Sequence, residues 1–208
     1  MTKKLIVLGL VLGTAGFANA KSTKLVASWK NPQYTATKFH RILVLGMSAK
    51  PGTRADFEDA LSKLVTSTGV EAVPGNTILL RPEGTQLNLD YLKTQVKTFK
   101  IDAVIVSRLV KVDKNVTYIP GGPYLMPPYY GSFYGYYSNI YPVVYSPDYL
   151  RTDTTVRVET NVYAVNSGEG QLLWSGVSDT FNPRSVEKAI DGLAKLIVKE
   201  LQKDAILQ

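Results

Sequence analysis

The chain has 208 residues, 45% of them apolar and 20% charged, with a formal net charge of +7. That suits one domain with an ordinary core and excludes both a wholly disordered chain and a multi-span membrane protein. The absence of Cys and the single His40 exclude disulfides, thiolate nucleophiles, Cys-ligated zinc and multi-His metal sites.

Lys3 and Lys4 precede an apolar or small run, Leu5 to Phe17, and Ala18-Asn19-Ala20 closes it with a small-x-small pattern. This is the layout of a secretory signal peptide. Residues 1–20 are therefore expected to be removed, leaving residues 21–208 as a single α/β domain in the periplasm. The run falls short of the ~20 residues a spanning helix needs. Lys21 stands where a lipoprotein would carry its acylated Cys. Cleavage takes Lys plus Arg from 24 to 22 against 17 acidic residues, leaving +5. The basic residues are scattered, and no nucleic-acid motif accompanies them. A solvated basic surface is the plain reading, and weak peripheral attraction to anionic lipid or cell-wall polymer is the sharper one.

Arg41 to Met47 is an almost wholly apolar run, the mark of a strand covered on both faces. Phe57, Leu61, Leu64 and Val65 then fall on one helical stripe, with Thr53 as a cap and Gly69 as a left-handed stop. Val70 to Val73 and Thr77 to Leu80 read as a second strand interrupted at Pro74-Gly75. Asn88 opens a helix striped by Leu89, Leu92, Val96 and Phe99. Asp102 to Val106 reads as a buried strand that continues through Arg108 to Tyr118. From Thr154, Val156, Val158, Thr160, Val162 and Ala164 alternate with polar neighbours. A turn cluster at 166–170 returns the chain as Gln171 to Phe181. Asn182 and Pro183 open a last helix striped by Val186, Ile190, Leu193, Ile197 and Leu201. The expected fold is α/β: a mixed sheet from β-α-β-α-β, an insertion, a β-hairpin and a carboxy-terminal helix.

The insertion, residues 118–149, holds 10 of 13 tyrosines and 6 of 11 prolines, and no Lys, Arg or Glu. Its prolines forbid a regular helix and break any central strand. Disordered loops usually lack aromatics, whereas Tyr offers contact area, a hydroxyl and little rotamer entropy to lose. The candidate partner-binding residues are Tyr124, Tyr129, Tyr130, Phe133, Tyr134, Tyr136, Tyr137 and Tyr141. A plain flexible loop, a partner or glycan surface and a self-association surface that builds a homo-oligomer remain open as readings.

Catalytic candidates are few. His40 and Ser48 flank the first predicted strand, but Ala49-Lys50 replaces the second glycine of a nucleophile elbow. Neither a phosphate-binding glycine loop nor a dinucleotide fingerprint occurs in residues 21–208, so no cofactor is expected. Asp56, Glu58 and Asp59 read as acids on a solvated first turn. Trp174 reads as core, and Trp29 as a pin for the lead-in segment.

Arg41 to Gly46, Arg54 to Leu61, Gly69 to Pro74, Asp102 to Val106, the Tyr-rich residues 129–137, Glu159 to Tyr163, Leu173 to Ser175 and Phe181 to Pro183 together resemble a family of small bacterial envelope lipoproteins. The layout is also similar to the amino-terminal domain of the Tol–Pal translocation protein and to the curli-secretion lipoprotein. The resemblance implies an envelope role and supplies no catalytic residue. The expected function is non-enzymatic: binding an envelope protein or glycan through the Tyr-rich insertion, without nucleic acid. A hydrolase or transferase acting on envelope material is the rival, and a glycan carrier the third reading. Protein isolated from an envelope fraction should have an intact mass that begins at Lys21. Retention of Met1, or an added acyl mass, would overturn the export reading.

Overall fold

The computed structural model describes residues 23–35, 38–48, 50–80, 89–119, 149–165 and 170–208. Along the chain run β1 (Thr23–Lys30), β2 (Arg41–Met47), α1 (Pro51–Thr66), β3 (Glu71–Pro74), α2 (Gly75–Ile78) and α3 (Leu89–Thr98). They are followed by β4 (Ala103–Ile119), β5 (Tyr149–Ala164), β6 (Gln171–Phe181) and α4 (Val186–Lys203). The strands form one mixed sheet in the order β1-β6-β5-β4-β2-β3. β2 pairs in parallel with β3 and β4, while β5 and β6 continue from β4 as an antiparallel meander and β1 closes the edge against β6. The expected mixed α/β architecture is the observed one.

The apolar run of β2 divides by side-chain parity. Ile42 and Val44 join Phe57, Leu61, Val65, Ile190, Leu193, Ile197 and Leu201 beneath α1 and α4. Leu43 faces the other way, into a smaller cluster with Ile78, Leu79, Ile101 and Val104, over which Leu92, Val96 and Phe99 pack. The parallel half of the sheet is thus covered on both faces, as its continuous hydrophobic sequence requires. The β5 positions Thr160 and Val162 face α1 and α4 and are buried. The buried hydroxyls of Thr160 and Ser107 satisfy each other at 2.8 Å, which removes the cost of hiding them.

Trp174 locks the carboxy-terminal end. Its ring is almost fully buried beside Gly176, where a Cβ would collide with it. Its Nε1–H donates to Asp204 Oδ2 at 2.8 Å, just past α4. Lys30 Nζ donates to the Asp204 carbonyl at 2.6 Å, so β1, β6 and the end of α4 meet on one residue.

The structure departs from the sequence expectations at several points. The lead-in is a strand, β1, pinned by backbone pairing with β6 while Trp29 lies half exposed opposite Ser175. α1 starts at Pro51 with Lys50 extended before it, two residues ahead of the expected Thr53 cap. Gly69 does adopt the left-handed stop, at φ 94°. Thr77 lies in the short α2 and not in a strand, because Pro74 ends the β3 ladder. α4 is capped by Ser185, whose side chain accepts from the Lys188 N–H at 3.2 Å, while Asn182 is used elsewhere. Val186, expected on the apolar stripe, is 60% exposed. Leu193 is buried and Lys195 on the same helix is exposed. Leu193→Ala should cost about 2–5 kcal/mol in thermal or denaturant unfolding, while Lys195→Ala should leave the midpoint nearly unchanged.

Candidate functional site

β4 and β5 run as one antiparallel ladder from Ala103↔Ala164 in the core to Ile119↔Tyr149. β2 leaves β4 after Arg108, and β6 leaves β5 after Thr155. The remaining six pairs, Lys114↔Thr154 to Ile119↔Tyr149, form a two-stranded arm reaching roughly 20 Å beyond the end of β6. A bulge at Val110, between Leu109 and Lys111, marks where the arm leaves the sheet.

Asn182 fastens the root of the arm. At φ 43°, it donates its N–H to the Thr154 carbonyl at 2.8 Å and accepts the Thr154 N–H on Oδ1 at 2.6 Å. Its Nδ2 donates to Asp153 Oδ1 at 2.8 Å. Asn tolerates this left-handed conformation better than most residues, so the same side chain ends β6 and extends its hold on β5.

The ladder carries the chain into and out of the Tyr-rich insertion. Tyr118 and Tyr149 belong to its strands, so the segment between the strands is 120–148. Tyr124, Tyr129, Tyr130, Phe133, Tyr134, Tyr136, Tyr137 and Tyr141 all lie outside the described residues, as do residues 1–20. The structure brings the two ends of the insertion together as a hydrogen-bonded strand pair at the tip of the arm.

The sheet face opposite α1 and α4 is charged along β4, β5 and β6. Arg108 Nη2 donates to Glu159 Oε2 at 2.7 Å, and Asn161 Nδ2 donates to Glu159 Oε1 at 2.9 Å. These bonds, Arg108's foremost, hold the Glu159 carboxyl below its usual range. Arg157 grips Asp179 through Nε and Nη2, both at 2.7 Å. That bidentate pair raises the guanidinium pKa and lowers the Asp179 carboxyl, outweighing burial, which acts in the opposite direction on each. On the arm, Asp153 is lowered by hydrogen bonds from Arg151 and then Asn182. Lys24 lies over the Phe181 ring, 4.8 Å from its centroid. Glu159, Asp179 and Asp153 are thus each paired with an arginine on this face.

The acid cluster on α1 needs correction. Asp56 and Asp59 are exposed, but Glu58 is fully buried. It accepts from Gly46 N–H at 2.9 Å, from Asn76 N–H, and from Arg54 Nε at 2.8 Å. A carboxylate satisfied by three donors joins β2, α1 and α2, and its role is structural. His40 and Ser48 sit at opposite ends of β2, so they form no pair. His40 Nδ1 lies 3.3 Å from Asp102 Oδ2 on a strongly exposed side chain, while Asp102 also accepts the backbone N–H groups of His40 and Arg41. Among the described residues, no three His, Cys, Asp or Glu side chains gather to hold a metal. A hollow of about 10 Å³ beneath α4, bordered by Thr160, Trp174, Gly176 and Ile197, has room for a single water.

No protein-family model and no curated protein matches the chain. Among solved structures, the chain is similar to the PelC dodecamer from Paraburkholderia phytofirmans, at a TM-score of 0.42 and 11% identity, covering 84% of this chain and 94% of that one. A single-substitution variant of that dodecamer gives a TM-score of 0.41 and 9% identity over 82% and 94%. These values are too low to transfer a ligand, an activity or an assembly.

The Arg157–Asp179 pair yields a signed pH expectation. A carboxyl whose folded pKa is depressed stabilises the fold above its unfolded value, and that contribution is lost as pH falls through the lowered folded value. Asp179 is depressed from an ordinary value of 3.8. Asp179→Asn should therefore lower the melting temperature at pH 7 and flatten the acid decline that the parent shows below about pH 4. Parallel acid profiles for the two proteins would refute that role.

Proposed function

We propose that the protein is a non-enzymatic component of the bacterial cell envelope, exported to the periplasm, that engages a partner through the Tyr-rich insertion. The partner is an envelope protein or glycan, and the contact lies at the far end of the β4–β5 arm. One observation carries this reading: a regular ladder holds the two ends of an aromatic segment as neighbours, well clear of the core.

An uninterrupted sheet is an economical way to present a surface. Loop-closure entropy grows slowly with loop length, and here the flanking strands fix the ends. Tyr at such a position meets either a protein surface or a sugar ring with a broad face and a hydroxyl. The alternative of catalysis on envelope material has less behind it, because Glu58, Asp102, Glu159 and Asp179 are engaged in structural hydrogen bonds or ion pairs and His40 lies against Asp102.

Joining Thr117 to Leu150 through a short Gly/Ser linker tests the proposal, since Thr117↔Arg151 and Tyr118↔Leu150 are already ladder neighbours. The deletion should fold with a near-unchanged melting temperature and lose the partners captured by crosslinking in the envelope. Retention of every partner would overturn the proposal. Loss of folding would place the tyrosines in the core, and loss of oligomeric state alone would make the segment a self-association surface.

A further inference from the structure

The arm has two unlike faces, set by strand parity beyond the Val110 bulge. Register places Leu109 beside Val158, Val112 beside Val156, Val116 beside Thr152 and Tyr118 beside Leu150, all on the face that continues from α1 and α4. Neither helix extends over the outer part of this face, so Leu109 is 53%, Val112 47%, Val116 62% and Leu150 69% exposed. The other face carries Lys111, Asp113, Asn115, Thr117, Arg151, Asp153, Thr155 and Arg157, with Ile119 and Tyr149 as its outermost row. Its charges close on themselves: Lys111 Nζ lies 2.7 Å from Asp113 Oδ2, and Arg151 Nη2 lies 2.9 Å from Asp153 Oδ2.

We propose that the apolar face of the β4–β5 arm lies against the interface of a lipid bilayer, with the ion-paired face toward water. This rests on the reading of the arm as the contact element and names lipid as what its apolar face meets. Three observations favour a bilayer over other occupants. First, residues 120–148 contain no Lys, Arg or Glu and a single acid, Asp148. A segment of that composition brings almost no charge to desolvate, and its eight tyrosines are of the type that concentrates at the headgroup boundary. Second, Lys114, opposite Thr154, forms the one polar row among the apolar ones. Its long stem lets the ammonium reach anionic headgroups while the chain lies along the apolar strip. Third, the chain as a whole is cationic, and anionic lipid attracts it. A second copy is a poorer fit, since the four half-exposed aliphatic side chains offer on the order of 400 Å² against the ~800 Å² per partner of a stable dimer.

The test is flotation of residues 21–208 with vesicles of phosphatidylethanolamine and phosphatidylglycerol. The parent should float. Combining Val116→Thr with Leu150→Thr keeps strand-forming shape and removes apolar surface, and it should weaken partitioning roughly tenfold. Asn115→Ser with Thr117→Ser, on the opposite face, should leave partitioning unchanged, and melting curves of all three should coincide. If the Thr variant unfolds, Val116→Ala with Leu150→Ala serves instead, with the same expected loss. A parent that never floats, or a Thr variant that floats as well as the parent, overturns the inference. So does a Thr variant that changes sedimentation mass and not flotation, which would assign the face to a second copy. A parent that captures crosslinked partners through residues 120–148 but stays off vesicles overturns the lipid contact alone and leaves the proposed function standing.

Discussion

The β4–β5 ladder is the constraint on which the other features depend. Its lower part, from Ala103↔Ala164 to Leu109↔Val158, lies at the centre of the sheet, between the parallel half and the antiparallel meander. Its upper part is the arm. A register slip of one residue would exchange the faces of every side chain on both segments. The buried Ile105↔Val162 and Ser107↔Thr160 pairs prevent such a slip by demanding the α1/α4 side. The core therefore fixes which side of the arm is apolar, even where the arm touches nothing else among the described elements. The Val110 bulge is the one adjustment, and it occurs where β2 no longer pairs with β4.

Charge follows the same division. Arg108–Glu159, Arg157–Asp179, Lys111–Asp113 and Arg151–Asp153 all lie on the face away from α1 and α4. Exposed ion pairs contribute little each, typically under ~1 kcal/mol. Their stronger effect is on orientation: a face whose cations and anions are paired prefers water, while the other face of the same strands has no such preference. Arg157–Asp179 differs in degree, because Asp179 is nearly buried and its pair is bidentate.

Much of this was legible in the sequence, and the exceptions have physical causes. The α4 stripe through Ile190, Leu193, Ile197 and Leu201 and the β2 run are strong periodic signals whose burial is as expected. β1 was not legible, because an edge strand in contact on few sides keeps a mixed composition: Lys24, Val26, Ser28 and Lys30 show no dry stripe. Glu58 looked like any first-turn acid, since its three donors come from Gly46, Asn76 and Arg54 and only the fold brings the first two near it. The arm's apolar face was obscured in a similar way. Val110, Val112 and Val116 keep the same parity along the sequence, but the bulge sets Val110 outside the paired register and shifts Leu109 onto the face of Val112. The candidate tyrosines were legible as composition alone.

The position of the insertion follows from where the fold can tolerate one. A connection placed at the base of β4 would have to cross the neighbouring starts of β2 and β6, where Asp102 and Trp174 already hold the chain in place. At the tip of the arm, a long segment needs only two ends at strand spacing, and the ladder supplies them. A two-stranded ribbon is marginal when isolated, so the arm takes its stability from the sheet at its root and from the Asn182 clasp. The same geometry allows residues 120–148 to change in length and composition without altering any core contact described for the sheet. Loops joined to a rigid scaffold in this way commonly tolerate change, and here the scaffold is the ladder and the core beneath it.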